Sequence, residues 1–224
     1  MNAGRSRLTP AAVLAGTVAA AIVVAVASVR YPAILQLPGA GPVLAVTVIT
    51  LLGYAAGGAW ALRHPSPGHG VALVWGTLGG AMWSAEIWCG GPAKLSHSLE
   101  QALGALSVVL ALATTAGGGV RAALRFRQAG PAWQAGLFSG LISGLFLHVF
   151  AVTMTLATLP TLASRRDYQD QFAHSHAPDL ATYLVGDILA AVAAHLVINL
   201  VVGLAGAGLG VLIARTTQPA ATVP

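Results

Sequence analysis

Two carboxylates stand inside apolar runs of this chain, and they are the residues best placed to do chemistry. Glu86 lies in AMWSAEIWCGGP, residues 81–92, between Trp83 and Trp88 and near Cys89, the only cysteine. Asp187 lies in LVGDILAAVAAHLVINL, with His195 and Asn199 further along the same run. Ionisable groups inside membrane helices usually face a bundle interior or a polar pathway. Two carboxyls of separated acidity can serve as acid and base, which makes Glu86 and Asp187 the candidate catalytic residues. A plainer reading makes Glu86 an interfacial acid, since it falls about 5 Å from the end of its run at a rise of about 1.5 Å per residue. Its flanking tryptophans would then sit at headgroup level. Asp187, Ala191, His195 and Asn199 recur at i, i+4 and form one drifting polar stripe. Such a stripe is either a binding or proton pathway or a hydrogen-bonded seam between helices.

The histidines offer a second chemistry. His148 and His195 each fall about 18–21 Å from the same end of their runs, a shared depth near the midplane. Two imidazoles at one depth can ligate a haem axially or relay protons with the stripe; two separate buried histidines are the plainer reading. His97 and Glu100 stand at i, i+3, and His174-Ser175-His176 puts two rings on one side of an extended segment, with Asp170 and Asp179 close by. Imidazole and carboxylate suit a divalent metal such as zinc. None of these spacings is a full ligand signature, so no cofactor is expected, with haem or a divalent metal as the alternatives. A single cysteine rules out an intramolecular disulfide and a cysteine-cluster site. No phosphate loop or Gly-rich nucleotide motif is present. The chain does not match rhomboid proteases either: Gly140-Leu-Ile-Ser143-Gly144 has one residue too many for GxSG, and its serine lies one span, not two, before His195.

The elements that must position these residues are membrane helices. The chain is 56% hydrophobic and 8% charged, whereas soluble domains carry about a quarter charged residues. Lipid is therefore its main solvent. One crossing needs about 20 apolar residues, and six such runs occur, at about 10–29, 42–62, 71–89, 99–116, 131–159 and 180–214. The expected fold is all-α, one transmembrane domain over residues 1–224 built as a six-helix polytopic bundle. Thr9 and Pro10 have the chemistry of an N-cap and first helical residue. Ala25-Val26-Ala27 resembles a signal cleavage site, but the run is longer than a signal core and a retained helix is expected. Gly117-Gly118-Gly119 is expected to end the fourth span. Arg121 and Arg125 then mark a short amphipathic cytoplasmic helix at about 120–128. The last run is longer than one crossing needs, so it is tilted or broken among Gly203, Gly206, Gly208 and Gly210. Small-xxx-small pairs, which let helix backbones approach, occur at Gly53/Gly57, Gly76/Gly80, Gly136/Gly140/Gly144 and Gly206/Gly210.

Basic residues near helix ends favour the cytoplasm. With the N-terminus inside, Arg5, Arg7, Arg63, Arg121, Arg125, Arg127 and Arg215 fall on the cytoplasmic side. Arg30, Lys94, Arg165 and Arg166 fall outside. Both termini are then cytoplasmic, and all six carboxylates lie outside or in the outer half. The net charge of +5 reports this topology rather than a nucleic-acid partner. The preference for arginine, alanine and glycine suggests a bacterial plasma membrane. The functional expectation is a non-enzymatic membrane subunit or small transport component that works with a partner protein or a second copy. Its size and small-residue faces suit a substrate-capturing transporter subunit resembling energy-coupling-factor modules, a likeness of fold alone. The alternative is a membrane-embedded enzyme or a redox or metal protein using the carboxylates and midplane histidines.

Overall fold

A computed structural model of the chain describes residues 3–93 and 95–217. These residues form α1 (Ala3–Arg30), a 3-10 turn (Pro32–Gln36), α2 (Ala40–Arg63), α3 (His69–Gly90), α4 (His97–Phe126), α5 (Ala129–Ala163), α6 (Arg166–Ala173) and α7 (Leu180–Thr216). The protein is an all-helical bundle, and among the described residues five helices, α1, α2, α4, α5 and α7, are long and apolar enough to cross a membrane. The remaining long helix, α3, has 22 residues and is diluted by glycines, His69 and Glu86.

The α5 helix occupies the middle. Of its most apolar stretch 78% is buried, against 22–33% in the other four apolar helices, and α1, α3, α4 and α7 pack around it. Its glycines explain this placement. A Cβ at Gly136 would collide with the Gly203 carbonyl, and one at Gly140 with the Asn199 carbonyl, so the α5 and α7 backbones run in direct contact. Van der Waals packing of this kind is what draws helices together in lipid. Gly76 meets Ser139 and Ile142 in the same manner, and Gly206 meets the Ala116 backbone. The Gly53/Gly57 pair is used differently: nothing stands within 4 Å of where a Gly53 side chain would begin.

Two expectations need correcting, and one open alternative is decided. The glycine triplet does not end the fourth helix, because α4 continues to Phe126. Residues 120–126 are its last turns rather than a separate surface helix. Gly117, Gly118 and Gly119 are contact points for Trp75, Ser139 and Ala207, and an open backbone break within lipid would leave polar groups unsatisfied. The helix stops at Arg127, whose backbone is left-handed (φ 51°). The last helix is likewise unbroken across its glycines, running 37 residues, about 55 Å. Finally, α1 begins before Thr9. The Thr9 hydroxyl does not cap the helix; it donates to the His69 carbonyl at 2.6 Å, pinning the start of α1 to that of α3.

The two ends of the bundle carry opposite charge. The Thr9–His69 bond, the contact of Gly68 with Pro131, and a cavity shared by Arg127, Ala129 and Arg215 gather the starts of α1, α3 and α5 with the far ends of α4 and α7. This is the arginine end. The other end holds every Asp and Glu of the chain, together with Arg30, Arg165 and Arg166.

Candidate functional site

Four helices meet at Asn199. The Trp83 indole N–H donates to Asn199 Oδ1 at 2.9 Å, and the Ser143 hydroxyl donates to the same oxygen at 2.9 Å. Thr115 Oγ1 donates to Ser143 Oγ at 3.1 Å, and Ser139 Oγ donates to the Thr115 carbonyl at 2.9 Å. Asn199 Nδ2 donates to the His195 carbonyl at 2.9 Å. Thr115, Ser139, Ser143 and Asn199 are fully buried. Gly79 makes the room, since a Cβ there would run into Thr115 Oγ1. An amide in apolar surroundings must find partners or cost free energy, and here α3, α4, α5 and α7 each supply a group to one closed knot.

Trp83 is therefore not the headgroup-level residue expected. Its ring is buried and points into the bundle, while Trp88 is the exposed member of the pair. His195 lies edge-on to Trp83 with ring centroids 4.8 Å apart. Its Nδ1 stands 2.8 Å from the Ala191 carbonyl. Along the stripe, His195 bonds to the Ala191 carbonyl and Asn199 to the His195 carbonyl within α7, while Asn199 Oδ1 takes its bonds from other helices. Each i, i+4 step turns about 40° around an α-helix, so Asp187 and Asn199 end up facing different neighbours.

The two carboxylates occupy different cavities. Glu86 borders a space of about 130 Å³ with Thr155 and Thr158 of α5, Tyr168 of α6 and Ile188 of α7. Thr155 and Ile188 each stand eight residues inside their helices, about 12 Å. Glu86 is accordingly half-buried under α6, deeper than its distance from the end of α3 implied. Asp187 borders a groove of about 310 Å³ between the 3-10 turn, the start of α2 and the start of α7. Consecutive helical residues point about 100° apart, so Ile188 faces the Glu86 cavity while Asp187 turns away from it. Glu86 and Asp187 do not form one acid–base site.

The metal candidates are also dispersed. Arg165 binds Glu100 at 3.0 Å and Asp167 at 2.9 Å, and it donates to the Gly90 and Gly91 carbonyls at 2.8 and 3.1 Å. This clamp ties α3, α4 and α6 together at the acidic end. Its hydrogen bond holds the Asp167 carboxyl below the usual range, while Asp167, aided by Glu100, holds the guanidinium above its own. His97 Nε2 pairs with Gln101 at 3.1 Å, and His174 Nδ1 lies 2.8 Å from the Asp170 carbonyl. His176 borders the Asp187 groove. Asp179 caps α7, accepting from the Thr182 N–H at 2.8 Å, and this bond lowers its pKa. Among the described residues no three His, Cys, Asp or Glu side chains come together as metal ligands.

His148 is fully buried, and neither ring nitrogen has a hydrogen-bond partner. It lies one turn beyond Gly144, where the α5 face meets Leu196 and Tyr54. Neither His148 nor His195 borders the Asp187 groove, the Glu86 cavity or the cavity at the arginine end, so these spaces do not present the pair to a haem. Ser139 and Ser143 have their hydroxyls committed to hydrogen bonds, and neither is poised against a base as a nucleophile requires. Protein-family models, curated proteins and solved structures give no match to this chain.

Proposed function

We propose that this chain is a non-enzymatic component of a membrane assembly, a binding or transport subunit that works with a partner. The observation that carries this reading is the closed Asn199 knot. At the depth where a conduit would need open polar groups, α3, α4, α5 and α7 instead direct theirs at one another. The α5–α7 seam beside the knot is backbone against backbone. The described cavities with carboxylates, those of Glu86 and Asp187, both lie toward the acidic end. A bundle closed at its centre, with its carboxylate-lined cavities at one end, suits capture, with movement across the membrane supplied by another chain.

The reading places six crossings in a bacterial plasma membrane, with both termini cytoplasmic. The arginine end supports that orientation, because basic helix ends favour the cytoplasm. Support for α3 as the sixth crossing comes from its anchors, Thr9 at one end and Arg165 at the other. Its 22 residues span about 33 Å, close to a hydrocarbon core of about 30 Å. The membrane-enzyme reading loses support from the separation of Glu86 and Asp187 and from the committed serines. The test is purification from native membranes in mild detergent with the stoichiometry of co-purifying proteins measured. A stoichiometric partner is expected; a solitary, monodisperse chain would count against the proposal.

A further inference from the structure

The groove beside Asp187 has the features of a ligand site, and this inference stands whether or not a partner is found. Its volume of about 310 Å³ is at the lower end of small-molecule pockets, roughly 300–1,000 Å³. The walls are apolar: Ile34 and Leu37 from the 3-10 region, Val43 and Leu44 from α2, and Leu189 from α7. The groove exists because the chain turns sharply between α1 and α2, through the 3-10 turn and the left-handed Gly39 (φ 82°). Leu37 is then laid across Gly186, where a Cβ would collide with it. Without a side chain at 186 the turn can close on α7, leaving the groove beside the next residue, Asp187.

Asp187 is the acidic side chain lining this apolar space. It lies seven residues inside α7, about 10 Å from its start, and the residue is exposed rather than buried. Among the described residues the ion pairs are those of Arg165, which is committed to Glu100 and Asp167. Among these residues Asp187 has no cationic partner, and the Arg30 guanidinium lies over Tyr31 instead. A carboxylate set in an apolar helix and open to an apolar groove ordinarily pairs with a cation or a bound substrate. Tyr183, its hydroxyl held by Gln171 at 3.1 Å, also borders the groove and adds an aromatic ring of the kind that attracts organic cations.

We propose that this groove binds a small amphipathic organic cation, with its ammonium group on Asp187 and its apolar body along Leu37, Val43 and Leu189. A hydrated metal ion does not suit these walls, and an anion would meet the carboxylate. The test uses the full chain in lipid nanodiscs and isothermal titration with two probes of one shape. One is a phenylalkyl-trimethylammonium; the other is its neutral tert-butyl isostere. The ammonium probe should bind at least tenfold more tightly, and Asp187→Asn should remove that advantage. Ala190→Trp, which fills the groove without touching the charge, should abolish binding of both probes. Equal binding of the two probes by the parent protein would overturn the proposal, as would an undiminished preference in Asp187→Asn. If Asp187→Asn does not fold, Ala190→Trp decides: lost binding supports the site, and unchanged binding refutes it. A phospholipid retained stoichiometrically by the parent protein and released by Ala190→Trp would overturn the choice of occupant.

Discussion

Asn199 shows how one side chain can organise four helices. A single interhelical hydrogen bond within a membrane averages about 0.6 kcal/mol, so the two its amide oxygen accepts from Trp83 and Ser143 imply about 1 kcal/mol. Asn199→Ala should therefore lower thermal stability in detergent by about that much. Thr158→Ala, which removes a bond to its own helix at Met154, should cost under about 0.5 kcal/mol; equal losses would show that the knot has no special weight. Asp167 makes a pH prediction. Its carboxyl is held below its ordinary value by Arg165, so its contribution is present above the unfolded pKa of about 3.9. That contribution is lost as pH falls through the lower folded value. Melting curves of Asp167→Asn should lose part of the acid sensitivity below pH about 4. At this scale the sequence was only partly legible. Asn199 and His195 were visible as polar residues in an apolar run. Trp83, Thr115, Ser139 and Ser143 gave no such signal, because a hydroxyl or indole in a membrane helix looks the same whether it bonds its own backbone or a neighbour. How far Glu86 is covered was not legible, because the ends of α5, α6 and α7, not that of α3, set it.

Among the elements, the glycines divide into those consumed by packing and those left open, Gly53 among the latter. Gly136→Leu should prevent the α5–α7 contact and reduce the yield of folded protein severely, since the obstruction is the Gly203 backbone rather than a movable side chain. Gly53→Leu meets nothing within 4 Å, and its fold should be unaffected in size-exclusion and melting assays. A loss of folded Gly53→Leu comparable to Gly136→Leu would contradict this division. The existence of the long helices was legible, because apolar runs of this length have few alternatives in lipid. Helix ends and continuity were not. A triple glycine reads as a breaker in water, but here it is the surface on which Trp75, Ser139 and Ala207 pack. The short α6, polar and without a buried residue, gave no apolar signal and was read only as part of a long connector.

The whole molecule is a charge-separated bundle, with most of the arginines gathered at one end and all carboxylates toward the other. That separation was visible in the sequence, since alternating spans sort the connectors by side, and the fold brings them together as sorted. What spans alone do not reveal is where the bundle is open, because openness depends on which small residues touch which backbones. The proposed reading has a closed centre and a groove at the acidic end, which it places on the outer side. The most direct measurement labels single cysteines in a Cys89→Ser background with a membrane-impermeant thiol reagent added from either side of sealed vesicles. Ala190→Cys, beside Asp187, should react from the outer side alone, and Ser143→Cys, in the knot, should react from neither. Labelling of Ser143→Cys from either side, or of Ala190→Cys from the cytoplasmic side, would contradict the account.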